Sequence, residues 1–273
     1  MKRFLALSLL VSFFCLIPVS FKRLTCGFKL AKMRLEIPFR NDWEISLLLP
    51  KEEVLSILSQ PFSYLDRGAQ CYVFESQDGR YVIKLFRYDQ SLFFKKKKKK
   101  RLGFNLKIEK LFSACILAYT KAKDETGVLF LHLNPTKKEY PILQAKGPIG
   151  QSLKIPLDRY RFAIQKKVTL FEETLLRAYR LSDGESMKRC IDSLVVLLKS
   201  RANKGIRNSD PSLTRNFGFL GEQAFEIDFG NYSEEPFLKE KEVLRYAKKL
   251  RCWLKDNAPE WVSYLDESAD LFR

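Results

Sequence analysis

Residues Pro61 to Gln90 read PFSYLDRGAQCYVFESQDGRYVIKLFRYDQ, and three runs within them decide the class of fold. Phe62 to Leu65, Tyr72-Val73-Phe74 and Tyr81 to Phe86 are rich in β-branched and aromatic residues, the composition of half-buried strands. Asp78-Gly79 is a hairpin signal between the last two runs, and Asp66-Arg67-Gly68-Ala69 makes the bend between the first two. Beyond them stand seven consecutive cations, Lys95 to Arg101, which cannot pack and are expected as a solvated loop or disordered insertion. From Phe104 to Lys123 the residues Phe104, Ile108, Leu111, Phe112, Cys115, Tyr119 and Ala122 recur at helical spacing. Val128 to Leu133 and Tyr140 to Leu143 add two strands, making five. Lys146-Gly147-Pro148-Ile149-Gly150 then reads as a hinge.

The second half is mostly helical. A capping box from Ser182 to Glu185 opens a helix whose Met187, Cys190, Ile191, Leu194, Val195 and Leu198 share one face, and Gly205 closes it. Val243, Ala247, Leu250 and Leu254 mark a last helix. The expected architecture is α+β and bilobal: a segment 1–30, an N-lobe over 31–148 with five strands and one helix, and a small, mostly helical C-lobe over 149–273.

A chain of 273 residues with 46% hydrophobic and 30% charged residues can build a core, which excludes a wholly disordered, collagen-like or multi-spanning protein. The net charge of +17 points to a polyanionic partner: nucleotide, nucleic acid, anionic lipid or phosphorylated glycan. Six cysteines without a CxxC pair and a single histidine, His132, leave no zinc-finger spacing and no histidine for a catalytic triad other than one inside the apolar run Val128 to Leu133. His132 is therefore read as a packed strand residue, and the cysteines as reduced core positions.

Phe4 to Phe21 is an uncharged apolar run of 18 residues, just long enough to span a bilayer. Pro18, two residues before Ser20, makes a poor cleavage site, so an uncleaved anchor is preferred over a secretory signal. Lys22, Arg23, Lys29, Lys32 and Arg34 outnumber Lys2 and Arg3, which places the folded part in the cytoplasm; the alternative is export through a signal peptide.

The residues that carry chemistry lie further along. Ala224 to Gly230, AFEIDFG, puts Asp228 at the end of an apolar strand, where a carboxylate suits Mg²⁺ on a nucleotide. Asp210 precedes it by 18 residues in Gly205-Ile206-Arg207-Asn208-Ser209-Asp210, and Asn216 follows. Upstream, Tyr81-Val82-Ile83-Lys84 puts a lysine on the third strand, Glu109 sits on the next helix, and Asp66-x-Gly68-x-x-Cys71-x-Val73 forms a strand turn. This ordered set, spread over residues 61 to 255, resembles the protein kinase-like superfamily. The resemblance implies ATP and Mg²⁺ as cofactors, Lys84 on the nucleotide phosphates, Glu109 paired with Lys84, Gly68, Val73 and Val82 at the nucleotide, Asn216 and Asp228 on the metal, and Asp210 accepting the hydroxyl proton.

The chain also departs from the family. Two of the three loop glycines are replaced, Asn208-Ser209-Asp210 stands for His-Arg-Asp, and Asn216 lies six rather than five residues after Asp210. The 43 residues after Gly230 leave no room for a full set of protein-substrate helices, so the layout looks more like the lipopolysaccharide core (Kdo and heptose) kinases or other small-molecule kinases. The expected reaction is phosphoryl transfer to a saccharide, lipid or small-molecule hydroxyl at the membrane. The alternatives are an inactive pseudokinase scaffold and a basic membrane or nucleic-acid adaptor. Lys95 to Lys100 suit an anionic lipid surface or phosphorylated glycan, and a solvated insertion with no partner is equally open. No aromatic residue interleaves the lysines, so nucleic acid is not the expected partner.

Overall fold

The computed structural model describes residues 24, 25, 27–35, 37–88 and 98–267, with the backbone alone for 98–105. The apolar run Phe4 to Phe21 and Lys95 to Lys97 lie outside them. Among the described residues no helix is long and apolar enough to cross a membrane.

Seven strands make one sheet: β1 (Phe62–Arg67), β2 (Cys71–Ser76), β3 (Tyr81–Phe86), β4 (Val128–His132), β5 (Ile142–Lys146), β6 (Ser152–Pro156) and β7 (Phe162–Lys166), in the order β4-β7-β3-β2-β1-β5-β6. All neighbours run antiparallel except β1 and β5. The expectation of five strands is thus too low, and the two missed strands carry readable patterns. Leu153 and Ile155 alternate with polar neighbours along β6, and their burial gives that strand one inner face. β7 is buried on both faces, Phe162 and Ile164 in the cluster under α1 and Ala163 in the one under α2, so its Phe-Ala-Ile run lacks alternation. The expected hinge at Lys146 to Gly150 is instead the turn of the β5–β6 hairpin, closed by Gly150 N–H donating to Gly147 O at 2.9 Å, with Gly150 at φ +79°. The chain leaves the sheet after Lys166, at the end of β7.

Eight α-helices are described: α1 (Lys51–Ser59), α2 (Lys98–Lys121), α3 (Lys123–Thr126), α4 (Phe171–Arg180), α5 (Gly184–Asn203), α6 (Leu213–Asn216), α7 (Lys239–Asn257) and α8 (Trp261–Glu267). Small strands interleave them, with β8 (Thr169–Leu170), β10 (Phe217–Leu220) and β11 (Gln223–Glu226) in one sheet, and β9 (Ile206–Asn208) with β12 (Tyr232–Glu234) in another. The lysine run is not wholly a loop: Lys98, Lys99 and Lys100 lie in the backbone of α2. Lysine costs a helix little, so the helix nucleated by the downstream apolar face extends back into the run. That face is the one the spacing gives: Ile108, Leu111, Phe112, Cys115, Tyr119 and Ala122 are buried, and Phe112 meets Trp43 edge-on at 4.8 Å. Full burial of a ring such as Phe112 contributes about 2–3 kcal/mol.

Helix α5 starts one residue later than its capping box predicts. Asp183, not Ser182, caps it, accepting from Ser186 N–H at 3.0 Å, while Ser182 takes a left-handed φ of +53°. Gly205 ends it at φ +72° with Pro236 packed 3.2 Å from where a Cβ would stand. Three apolar clusters follow: one between α2 and the sheet, one on the opposite sheet face under α1, and one among α4, α5, α7 and α8. His132 is a packed strand residue as expected, its Nδ1 2.8 Å from Tyr160 O, and burial pushes its pKa down to about 4.

Candidate active site

A cavity of about 550 Å³ lies between the seven-stranded sheet and the segment that follows β11. Period two along β3 puts Val82, Lys84 and Phe86 on the cavity face and sends Ile83 and Leu85 into the apolar cluster beneath α1. Val73 is the cross-strand partner of Lys84 and lines the same cavity, while Ala163 pairs with Lys84 on the other side. Lys84 is thus held on a strand hydrogen-bonded along both edges. Its Nζ donates to Ile227 O and stands 5.1 Å from the Phe229 ring centroid, which brings the lysine to within one residue of Asp228.

Asp228 lines the cavity with Ile227, Phe229 and Gly230, and its Oδ1 accepts from Gly230 N–H at 3.2 Å. Asn216 ties this segment to Asp210: its carbonyl accepts from Ile227 N–H at 2.6 Å, and its Nδ2 donates to Asp210 O at 2.9 Å. Asp210 and Asn216 stand beside the cavity, and Arg215 between them lines it. The structure therefore gathers Lys84, Asp228, Asn216 and Asp210, which are separated by up to 144 residues in sequence.

Asn208 is the joint that sequence reading missed. Its Nδ2 donates to Asp228 O at 2.9 Å and to Glu226 Oε1 at 2.8 Å, and its Oδ1 accepts from Asp210 N–H at 2.9 Å. One side chain thereby fixes the backbone at both aspartates. Below it lies an ionic cluster, buried except for Arg245 at its rim. Arg201 pairs with Glu226 and, at 2.7 Å, with Glu242; Arg245 meets Glu242 at 2.7 Å; Tyr232 OH donates to Glu226 at 2.6 Å. Two guanidiniums against two carboxylates balance the charge, the condition under which ions tolerate burial.

Glu109 departs from expectation. It does not pair with Lys84; its Oε1 accepts from Arg40 Nη1 at 2.6 Å, and Arg40 also holds Asp42 at 2.7 Å. Helix geometry explains this, because Leu111 and Cys115 of α2 line the cavity and Glu109 lies about 200° around the axis from Leu111. Gly68 also differs: the loop lines the cavity through Asp66, Ala69, Gln70 and Cys71. Burial pushes the Cys71 thiol up to about 11, so it stays protonated at neutral pH. Residues 165–170, running from β7 through β8, form a further wall, hidden from sequence reading because β7 was not recognised as a strand.

The oxygen donors suit a hard cation. Among the described residues Asp228 keeps one carboxylate oxygen free of protein hydrogen bonds and Asn216 Oδ1 takes none. No group of three or more His, Cys, Asp or Glu able to hold a metal occurs among the described residues. Such a pair suits Mg²⁺ bound together with nucleotide phosphates rather than in an all-protein cage.

No protein-family model matches the chain, and no curated protein matches it. Solved structures that are similar include the bifunctional kinase-methyltransferase WbdD, at 15% identity over 74% of this chain and 43% of that one, with a TM-score of 0.38. ROP2 from Toxoplasma gondii, a virulence factor with a protein-kinase fold and no enzymatic activity, is 14% identical over 63% of this chain and 49% of its own, with a TM-score of 0.31. Rv3197 from Mycobacterium tuberculosis, solved with erythromycin, is 14% identical over 98% of this chain and 76% of its own, with a TM-score of 0.33. The chain spans less than half the length of the WbdD and ROP2 chains.

Proposed function

We propose that the chain is a protein kinase-like phosphotransferase that binds Mg²⁺-ATP in the cavity at Lys84 and Asp228 and transfers phosphate to a hydroxyl. The observation that carries this reading is that Lys84 and Asp228 line one cavity of about 550 Å³, within the usual range for small-molecule sites, with Asn216 and Asp210 hydrogen-bonded to one another and to the Asp228 segment beside it. Val73, Val82 and Ile227 supply apolar walls for a base, and residues 165–170 form a further wall. Lys84 binds phosphate oxygens, Asp228 and Asn216 hold the cation, and Asp210 accepts the proton of the attacking hydroxyl. Mg²⁺ bound with the nucleotide supplies charge neutralisation on the phosphates. The acceptor is a saccharide, lipid or small-molecule hydroxyl, and the apolar run Phe4 to Phe21 with its flanking cations would hold the folded part at the cytoplasmic face of a membrane.

One observation favours a second reading, a nucleotide-binding scaffold without transfer. Lys84 has no carboxylate from α2, since Glu109 is engaged by Arg40. Thermal unfolding of the full chain separates the readings in two steps. Mg²⁺-ATP at a hundred times its dissociation constant is expected to add about 2.7 kcal/mol of stability, and Asp228→Ala to remove the Mg²⁺-dependent part. Transfer to added acceptors, lost in Asp210→Ala, makes the chain an enzyme; binding without transfer in any acceptor screen makes it a scaffold; no Mg²⁺-ATP shift removes both.

A further inference from the structure

Residues 68–71 join β1 to β2 over the cavity, with Arg67 and Tyr72 as the last cross-strand partners. A turn of bare glycines would offer backbone N–H groups to phosphate, but here the cavity is lined by Asp66 and Cys71, which are not glycines. Gln70 occupies the tip. Its carbonyl accepts from Arg87 N–H at 2.8 Å, which ties the loop backbone to the chain just after β3 and leaves the side chain to reach downward. It reaches Gly230. A Cβ on Gly230 would stand 1.8 Å from Gln70 Oε1 and 2.9 Å from its Cδ, so only a glycine admits the amide at this spot. Gln70 lines the same cavity as Lys84 and Asp228, and among the described residues its side-chain amide makes no hydrogen bond.

We infer that the Gln70 side-chain amide is a phosphate-binding donor of the cavity, supplying the N–H groups that the missing glycines leave unoffered. The inference rests on the nucleotide reading above and assigns it a residue on the roof. A neutral amide has two N–H donors and competes with neither the Lys84 charge nor the Asp228 carboxylate. Gly230 then leaves space for that amide besides holding Asp228 Oδ1 through its N–H; a side chain there meets Gln70 first, and then Leu111 at 3.1 Å.

The test is calorimetric titration of the full chain with Mg²⁺-ATP and, separately, adenosine, with the melting temperature of each ligand-free variant as a folding control. Gln70→Ala is expected to weaken Mg²⁺-ATP about tenfold, the usual worth of a hydrogen bond to a charged group, and to leave adenosine unchanged. Gly230→Ala is expected to do the same, and the double variant to be no weaker than either single one. Tighter Mg²⁺-ATP binding in Gln70→Ala would make the side chain a plug and overturn the inference. So would equal affinity, or an equal loss for adenosine and Mg²⁺-ATP. Absence of Mg²⁺-ATP binding in the unsubstituted chain overturns the nucleotide reading and this inference together; binding there that Lys84→Ala lowers and Gln70→Ala does not overturns the inference alone.

Discussion

Beneath the cavity Arg201 and Glu226 are fully buried and Glu242 is 3% exposed, whereas at the edge of α2 turned away from the cavity Arg40 and Glu109 are 38% and 42% exposed. Both are ion pairs of similar length, yet water decides what each is worth. An exposed pair trades water contacts for side-chain order and nets about 0–1 kcal/mol. A buried cluster has no water to return to when one member is lost. The order at Asp210 and Asp228 therefore comes from the floor, through Asn208, and the edge of α2 contributes little to it.

The largest expected effect breaks the floor. Arg201→Met leaves Glu226 and Glu242 buried without their shared cation and is expected to lower unfolding free energy by about 3–5 kcal/mol, read by urea denaturation. A loss under about 1 kcal/mol would put floor and edge on the same footing.

The second effect belongs to the sheet, where the buried titratable group is neutral instead of ion-paired. Burial holds His132 at about 4, below the ordinary histidine value of 6.5, with Arg161 adding repulsion to its charged form. The unfolded chain therefore binds the proton first. Stability from neutral His132 is complete above pH 6.5 and is lost as pH falls towards 4, in total about 3 kcal/mol. Urea melts of the unsubstituted chain and of His132→Gln at pH 7 and pH 4.5 check this: the variant is expected to lose distinctly less stability between the two. Parallel losses would assign the acid response to carboxylates elsewhere.

How legible this was in the sequence differs by region. The strands β1 to β4 showed in their β-branched and aromatic composition, helped between β2 and β3 by the Asp78-Gly79 turn. β7 was hidden because its FAIQK run holds only one aromatic and one β-branched residue and its burial on both faces removes alternation as a second signal, and with it went the wall formed by residues 165–170. Lys84 and Asp228 were legible as motif residues, and the structure brings their segments together. Asn208 was visible only as a departure from a familiar triplet; its partners Glu226 and Glu242 lie 18 and 34 residues away, and no spacing rule links them. Glu109 shows the converse error. A helical glutamate in the right order was paired with Lys84, but order along a chain does not specify the angle around a helix, and Leu111 and Cys115 occupy that angle.

The smallest effect sharpens the comparison most. Glu109→Ala removes the Arg40 contact alone, leaves Arg40 with Asp42, and is expected to cost less than about 1 kcal/mol of stability. If Lys84 works without a carboxylate from α2, held by Ile227 O and the Phe229 ring, the same variant keeps its Mg²⁺-ATP affinity within about twofold, while Lys84→Ala loses it. A large loss of affinity in Glu109→Ala, at unchanged stability, would mean that α2 turns on nucleotide binding and exchanges Arg40 for Lys84. The edge pair would then be a latch whose weakness is its use, since a contact worth under 1 kcal/mol is one that a bound nucleotide can break.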